Sequence, residues 1–272
     1  MVYGVHLSKA DCPTPDKADA ALKHRYQSTV GAMIYAMNGT RPDIAYAVTK
    51  LSQFSSNPGV IHWQALKHLG RYLKGTQDYC ITYRAVAQSS MPPLLGYCDS
   101  DWAENVDHRR SVTGYAFLLC HGAVSWQSRT QQTVATSSTQ AEYMAATEAT
   151  KEAMWWRMFF KAINKHNEGP TVICSDNQGS IALAKNPEHH RRTKHIDVQY
   201  HFVREQVAGK TVVFKFVPSI EMAADVLTKA LPNPRHRLVV RMLGVDTLQS
   251  SLSGSVGVDR QPRLQSTNEV QR

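Results

Sequence analysis

The chain has 272 residues, of which 42% are hydrophobic and 19% charged, and its formal net charge at pH 7 is +9. This length is comfortable for two domains, and the chain has no run of about 18 apolar residues of the kind that predicts a membrane span. Residues 1–11 lack the basic and apolar segments of a secretory signal. The five cysteines include no Cys-x-x-Cys pair, which argues against a disulfide framework or a structural zinc site and favours a reducing compartment.

The positive charge is unevenly distributed along the chain. Lys and Arg outnumber Asp and Glu by ten to five in residues 1–91, by fifteen to fourteen in residues 92–230, and by six to three in residues 231–272. A near-neutral middle between basic flanks fits a nucleic-acid enzyme whose acidic site binds a metal ion. The alternative is that the surplus charge only keeps the protein in solution.

The first third of the sequence predicts helices. Residues 1–25 are polar and contain Pro13 and Pro15, so we expect a linker or a truncated edge there. In the next region, apolar residues recur at spacings of three and four. The predicted elements are a helical segment over 26–54 with a break at Asn38-Gly39, a helix over 61–75 and a short strand over 81–85. The polar, proline-containing stretch over 87–93 is the expected domain boundary.

The second region alternates strands and helices. Strands are predicted over 94–99, 114–120, 123–128, 171–175 and 211–217, and helices over 137–164, 177–185, 195–207 and 221–229. His121-Gly122 is the expected turn of a hairpin between the second and third of these strands. The order predicts an α/β domain with a mixed sheet and helices against it. A C-terminal helix over 233–244 and a disordered tail over 245–272 are expected to follow.

Four acidic residues lie in four separate segments of this second region. They are Asp99 in YCDSDW, Glu142 in SSTQAEY, Asp176 in CSDNQ and Asp225 in AADVLTK. Two divalent cations about 4 Å apart need a cluster of carboxylates to hold them, and the members of such a cluster usually come from different elements. The pattern therefore predicts the metal site of a nuclease.

Each acid also has an ordinary structural interpretation. Asp99 would be a turn residue at a strand end, and Asp101 is its rival because both lie on one face of an extended chain. Glu142 would stabilise a helix dipole, an effect of about 0.3–1 kcal/mol. Asp176 would cap the following helix, and Asp225 would be a surface acid on a short helix. The residues alone leave these alternatives open.

Eight segments in a fixed order carry a more specific signal. They are RPDIAYAV (41–48), HWQALKHLGRYLKGT (62–76), YCDSDWA (97–103), RRSVTGY (109–115), SSTQAEYMA (137–145), DNQGSIALAKNP (176–187), RTKHID (192–197) and ADVLTK (224–229). With these segments the chain, from about residue 26 to 244, resembles the C-terminal part of a copia-type retrotransposon Pol polyprotein. Several ordered segments are more specific than any single motif.

The resemblance implies two domains. Residues 92–232 would form an RNase H domain, whose family fold is a five-stranded mixed sheet flanked by helices. Residues 26–88 would be a small, mainly helical remnant of the thumb and connection of a reverse transcriptase. The YxDD segment of a polymerase is absent, since its closest approach, YCDS at 97–100, has Ser100 in place of the second acid. We therefore expect a fragment that cannot polymerise DNA and whose partner is a separate polymerase domain.

The resemblance further implies an endoribonuclease that cleaves the RNA strand of RNA–DNA hybrids. The implied catalytic residues, which would hold two Mg²⁺ ions with Mn²⁺ as a substitute, are Asp99, Glu142, Asp176 and Asp225. The candidates for contact with the nucleic-acid backbone are Arg109, Arg110, Arg191, Arg192 and Lys194. Substrate choice would depend on hybrid shape and on 2′-hydroxyl contacts.

One position departs from the cellular members of the RNase H family. These carry a mobile His just before the helix of the fourth acid, and here Ser219 takes its place, as in the copia pattern. Two other functions stay open, namely binding of hybrid or structured RNA without cleavage, and a folded relic without activity. An integrase-like nuclease is disfavoured because that family uses three acids. We expect an intracellular protein, in the cytoplasm or the nucleus.

Overall fold

The structure is a computed structural model that describes residue 1 and residues 3–84, 93–165, 169–185 and 194–248, without the side chains of residues 194–198. The described helices are α1 (Ala20–Gly39), α2 (Ala45–Ser52), α3 (Val60–Gly75), α4 (Ser138–Ala162), α5 (Gln178–Lys185), α6 (Lys194–Ala208) and α7 (Asn233–Met242). The described strands are β1 (Tyr79–Ile81), β2 (Leu95–Ser100), β3 (Val112–Leu119), β4 (Gly122–Thr130), β5 (Thr171–Ser175), β6 (Val212–Phe216) and β7 (Val245–Thr247). Within these ranges, no helix combines the length and apolar character required to cross a bilayer.

A five-stranded mixed sheet organises the second region, in the order β4-β3-β2-β5-β6. Strands β2, β3 and β4 pair antiparallel, whereas β2, β5 and β6 are parallel. The predicted α/β fold, a five-stranded mixed sheet flanked by helices, is confirmed. Parallel neighbours end at the same edge of a sheet, so the last residues of β2 and β5 lie side by side.

The hairpin between β3 and β4 turns one residue earlier than predicted. Leu119 pairs with Gly122, so the two turn residues are Cys120 and His121 rather than His121 and Gly122. Both have positive φ, 51° and 66°. Two-residue hairpins with positive φ at both central positions match the twist of the flanking strands, which favours this turn despite the side chains.

Each face of the sheet is covered by a separate apolar cluster. On one face, Phe117 and Ile173 of the sheet pack against Tyr143 of α4 and Val203 of α6. On the other face, the sheet packs against residues 222–227 and against α7. The sheet core is therefore closed on both sides, and its strand ends remain available for a site.

The segment that carries Asp225 is not the short α-helix that was predicted over 221–229. It forms two 3₁₀ segments, Ser219–Glu221 and Ala223–Leu227. The end of this segment lies so close to the sheet that a Cβ atom on Gly114 would stand 2.7 Å from Thr228 Cγ2, 2.8 Å from Leu227 Cβ and 3.3 Å from the Leu227 carbonyl carbon. Gly114 pairs with Asp99 across the sheet, so this close approach brings the segment to the end of β2.

The N-terminal region forms its own apolar cluster, with α1, α2 and α3 around Tyr26, Leu51 and Leu66. The expected linker over residues 1–25 is wrong in part, because Leu7 is buried in this cluster and α1 begins at Ala20. The His62 ring contacts the Ser8 carbonyl at 3.2 Å, which holds the segment against α3.

Two further segments differ from expectation. Residues 245–247, predicted as disordered, form β7 and pair antiparallel with β1, because apolar Val245 is buried opposite Ile81. The strand predicted over 81–85 is observed over Tyr79–Ile81. Most of the expected domain boundary, like the tail beyond residue 248, lies outside the described residues.

The N-terminal region also packs directly on the sheet. Trp126 of β4 donates its indole N–H to the Met37 carbonyl at 2.8 Å, and the Thr49 hydroxyl donates to the Ser128 carbonyl at 2.9 Å. Ala45 of α2 belongs to the apolar cluster on the α7 face of the sheet. The two regions therefore share a buried interface.

Candidate active site

Three of the four predicted acids converge at one edge of the sheet. Asp99 is the last residue but one of β2, Asp176 directly follows β5, and Glu142 lies in the second turn of α4, which covers this edge. One oxygen of each carboxylate lies within 4.8 Å of the others. The parallel pairing of β2 with β5 explains why two acids so far apart in sequence meet here.

Asp99 is buried and has two polar neighbours from the segment after Asp225. The Thr228 hydroxyl donates a hydrogen bond to Asp99 Oδ2, and Lys229 Nζ lies 3.5 Å from the same atom. Burial raises the pKa of the Asp99 carboxyl, whereas the Lys229 ammonium opposes that rise. Asp99 is therefore part of the site and not a solvated turn residue.

Glu142 is buried, and its Oε2 atom has no hydrogen-bond partner among the described residues. Ser137 caps α4 by accepting the Gln140 N–H. Burial, followed by the charges of Asp99 and Asp176, raises the pKa of Glu142 strongly. A buried carboxylate oxygen without a partner is unfavourable unless a cation or proton joins it, so helix-dipole stabilisation alone does not account for this residue.

Asp176 is partly exposed at the mouth of the cluster. The Ser219 hydroxyl donates to Asp176 Oδ2 at 2.7 Å. The cap of α5 is the next residue, because Asn177 Oδ1 accepts the Ser180 N–H at 2.9 Å. Asp176 is thus free of the capping role that the sequence also allowed, and Ser219 contacts a candidate catalytic acid.

Asp225 is buried beside the three clustered acids and is held by two cations. Lys229 Nζ lies 2.8 Å from Oδ1, and Arg235 of α7 donates to Oδ2 at 2.9 Å. Arg235 also donates to the carbonyls of Ser219 and Ile220. The structure therefore does not bring Asp225 into the group of three, although it places its charge close enough to raise the pKa of Asp99.

Asp101, the rival of Asp99, has a different role in the structure. Its Oδ1 accepts the Val112 N–H, and the charge of the buried Lys50 acts to lower its pKa. Burial raises the pKa of Asp101 to about 7. Asp101 therefore ties the end of β2 to the start of β3 and lies outside the three-carboxylate cluster.

The predicted backbone-binding residues are only partly described. Arg109 and Arg110 are exposed in the loop before β3, where Arg109 has a positive φ of 55° and donates its backbone N–H to the Asn105 carbonyl. Arg191 and Arg192 lie outside the described residues, and Lys194 begins α6 with its side chain outside them. The contacts of these five residues with nucleic acid stay a prediction.

Sequence reasoning missed three polar residues around the acids, namely Thr228, Lys229 and Arg235. It noted Ser219 only as the residue in place of a family His and did not predict its contact with Asp176. The spacing of Asp225 and Lys229 was a usable signal, since residues four apart meet on a helical turn. Arg235 had no comparable signal, because only the packing of α7 brings it to Asp225.

The residues present fit a divalent cation. Mg²⁺ and Mn²⁺ prefer carboxylate oxygens, and Asp99, Glu142 and Asp176 supply three that lie within 4.8 Å of one another. Glu142 also has a buried oxygen, Oε2, without a hydrogen-bond partner among the described residues. The Lys229 ammonium, which lies beside Asp99 and Asp225, limits the net negative charge of the site.

Comparison with known proteins identifies the family. No family model matches the chain. The chain is 44% identical over 241 residues to the "Retrovirus-related Pol polyprotein from transposon TNT 1-94" of Nicotiana tabacum, a match that covers 88% of this chain and 18% of that protein. It is 37% identical over 229 residues to the polyprotein from transposon RE2 of Arabidopsis thaliana, covering 84% of this chain and 16% of that protein.

The chain thus spans less than a fifth of the length of these relatives. Among solved structures, LC11-RNase H1 in complex with RNA/DNA hybrid aligns with a TM-score of 0.38 and 14% identity, covering 50% of this chain and 93% of that one. The extent and identity of the transposon matches show that the chain belongs to the family of copia-type, retrovirus-related Pol polyproteins.

Proposed function

We propose that this chain is an endoribonuclease that hydrolyses the RNA strand of RNA–DNA hybrids during reverse transcription of a retrotransposon. The observation that carries the proposal is the convergence of Asp99, Glu142 and Asp176 within 4.8 Å at the edge of a five-stranded mixed sheet. Membership of the Pol family supports it. We further propose that residues 92–232 carry this activity and that residues 26–88 are the thumb and connection remnant.

The metal-binding residues in this proposal are Asp99, Glu142 and Asp176, with Asp225 as the fourth acid. When bound, two Mg²⁺ ions would supply an attacking water of lowered pKa and stabilisation of the leaving 3′-oxygen. The products would carry a 5′-phosphate and a 3′-hydroxyl. Mn²⁺, which accepts the same oxygen ligands, would substitute.

The residues of the chain have separable tasks in this reaction. Asp99 and Glu142 hold their carboxylates in a buried position, where Coulomb interactions are less screened by water. The Ser219 hydroxyl fixes Asp176, which lies at the open side of the site and would orient the attacking water. The Thr228 hydroxyl orients Asp99 by donating to its Oδ2.

The hybrid would be selected by its shape and its 2′-hydroxyls rather than by base sequence. The exposed Arg109 and Arg110 would contact phosphates of the backbone. The chain contains no YxDD segment, so polymerisation would need a separate polymerase domain, and that domain would also help to hold the hybrid.

The proposal is tested by incubating the purified chain with a labelled RNA–DNA hybrid in Mg²⁺, in Mn²⁺ and in chelator, beside an Asp176→Asn variant. We expect cleavage of the RNA strand in both metals, and loss of cleavage in chelator and in the variant. Hybrid binding at low salt without cleavage in either metal would reject the nuclease and leave a non-cleaving hybrid-binding protein. Neither binding nor cleavage would leave a folded relic.

A further inference from the structure

The first turn of α7, residues 233–236, is fixed by contacts with other parts of the chain. It has no side-chain cap and no acidic residue, although Arg235 and His236 lie in it. The free N–H groups and the positive dipole end of a helix favour caps and anions, and they disfavour basic side chains. This turn would therefore fray unless residues outside the helix hold it.

Arg235 joins this turn to two of the candidate catalytic acids. Its guanidinium donates to Asp225 Oδ2 at 2.9 Å and to the carbonyls of Ser219 and Ile220. The Ser219 hydroxyl in turn donates to Asp176 Oδ2 at 2.7 Å. The position of the turn therefore affects Asp225 directly and Asp176 through Ser219.

His236, the next residue, contacts the N-terminal region instead. Its ring meets the Tyr72 ring of α3 edge-on, with centroids 5.5 Å apart and an angle of 88° between the planes. Burial lowers the pKa of His236, whereas the charge and the backbone of Asp43 oppose that lowering, so Asp43 lies beside the same ring. Ala45 also belongs to the same apolar cluster as Ala224, beside the fourth acid.

The two residues beside His236 are themselves fixed in a buried polar network. Arg41 forms a bidentate pair with Asp43, with distances of 2.9 and 2.7 Å, and the Tyr72 hydroxyl donates to Asp43 Oδ2 at 2.6 Å. Arg41 also donates to the carbonyl and the hydroxyl of Thr76. Replacing a buried ion pair by apolar residues often costs no stability, whereas a satisfied network holds its members in one arrangement. This network therefore presents a rigid surface to α7.

We propose that the N-terminal region positions part of the active site through α7. Asp43 and Tyr72 hold His236, and this contact fixes the first turn of the helix. The fixed turn lets Arg235 keep the segment around Asp225 in place beside the carboxylate cluster. His236 is thus a positioning residue that acts through its neighbour. The inference rests on the proposed nuclease function, and it adds residues on both sides of the range 92–232 to which that activity is assigned.

The first test compares His236→Leu in the full chain with Arg237→Leu, a change of an exposed residue on the same helix. Hybrid cleavage in Mg²⁺ is measured over a range of hybrid concentrations. The kcat of His236→Leu should fall at least about tenfold while KM stays within about twofold, because displaced catalytic groups slow the chemical step without weakening hybrid binding. Arg237→Leu should change neither constant.

A second pair of variants acts from within the N-terminal region. Tyr72→Phe removes the hydroxyl that bonds Asp43, and Tyr26→Phe removes a hydroxyl that donates to the Leu51 carbonyl at 2.8 Å in the core of the same region. Both should lower the stability of the region, but only Tyr72→Phe should lower kcat, by about threefold or more. Circular dichroism checks that each variant is folded, and Tyr72→Phe carries the test if His236→Leu does not fold.

Amide hydrogen exchange in chelator gives a readout that does not depend on cleavage. His236→Leu and Tyr72→Phe should speed exchange over residues 219–228 and leave residues 138–145 of α4 unchanged, since local stability varies between segments. Arg237→Leu and Tyr26→Phe should leave both segments unchanged.

Unchanged kcat in both His236→Leu and Tyr72→Phe would overturn the inference. So would an equal fall of kcat in Tyr26→Phe, because any loss of stability in the N-terminal region would then slow cleavage. A wild type that does not cleave the hybrid rejects the nuclease, and hydrogen exchange then decides the inference separately. Faster exchange over residues 219–228 in the two variants would support it, and unchanged exchange would overturn it.

Discussion

Lys229 Nζ lies 2.8 Å from Asp225 Oδ1, so the fourth candidate acid is paired with a cation from its own segment. The same nitrogen lies 3.5 Å from Asp99 Oδ2. One ammonium group thus stands between two buried carboxylates of different elements. This arrangement lets the fold gather several acids without leaving all of their charge uncompensated.

Lys229→Met should destabilise the metal-free protein. The substitution leaves Asp99 and Asp225 buried without their shared cation, and breaking a buried pair costs up to about 3–5 kcal/mol. Because the Lys229 side chain is 36% exposed, we expect a smaller loss, of about 1–3 kcal/mol. Chemical denaturation in chelator measures the free energy of unfolding.

Lys151→Met is the matched control, since Lys151 pairs with Glu148 at 2.6 Å on the exposed face of α4. Its effect should stay below about 1 kcal/mol. Equal decreases in the free energy of unfolding for the two variants would show that Lys229 stabilises the protein no more than an exposed ion pair does.

Glu142→Gln should stabilise the metal-free protein, and more so at higher pH. Burial beside Asp99 and Asp176 raises the pKa of Glu142 to about 9. A carboxyl that holds its proton more tightly when folded lowers the free energy of unfolding as pH rises from the ordinary carboxyl range toward 9. Glutamine removes this dependence.

The measurement is thermal unfolding in chelator across that pH range, beside Glu148→Gln, whose carboxylate is on the surface. The wild type and Glu142→Gln should agree in acid and diverge in mild alkali. A constant difference at every pH would mean that the Glu142 carboxyl titrates as it does in the unfolded chain.

Asp99→Asn and Asp101→Asn should separate the two rivals. Asp99 belongs to the carboxylate cluster, so its change to Asn should abolish Mn²⁺ binding in a calorimetric titration and lower hybrid cleavage at least about a hundredfold. Asp101→Asn keeps an oxygen to accept the Val112 N–H and should retain Mn²⁺ binding. The reverse pattern would assign the metal to Asp101.

Arg235→Met should loosen the segment that carries Asp225. Arg235 donates to Asp225 and to the carbonyls of Ser219 and Ile220, and hydrogen bonds to charged groups contribute about 1.5–3 kcal/mol each. We expect a lower free energy of unfolding and faster amide hydrogen exchange over residues 219–228. Arg237→Met, an exposed residue on the same helix, should change neither quantity.

The central sheet was predictable because its signals are local. The strands β2 and β5 are short apolar runs with an acid at or just after their ends, and α4 begins within a Ser-Ser-Thr run whose first residue, Ser137, caps it. Asp99, Glu142 and Asp176 could therefore be assigned to their elements from sequence. The three acids meet because β2 and β5 pair in parallel. For this arrangement the sequence offered only the family resemblance, which implies a five-stranded mixed sheet.

The misjudged segments depend on tertiary contacts instead. Leu7 is one of several apolar residues near the start of the chain, and it is buried, whereas Tyr3 and Val5 are exposed, because α1, α2 and α3 assemble around it. The 3₁₀ segment that carries Asp225 packs against the sheet where Leu227 and Thr228 approach Gly114, and β7 forms because β1 is available as a partner. No periodicity within these segments carries that information.

The pairing of β1 with β7 has a consequence for how the polyproteins of such retrotransposons evolve. Tyr79 lies opposite Thr247, so the entire five-stranded sheet is inserted between two strands that belong to one ladder. A recombination event that exchanged only residues 93–230 would have to preserve that ladder and the shared interface at Trp126 and Thr49. The helical region and the nuclease-like region are thus expected to be inherited as one unit.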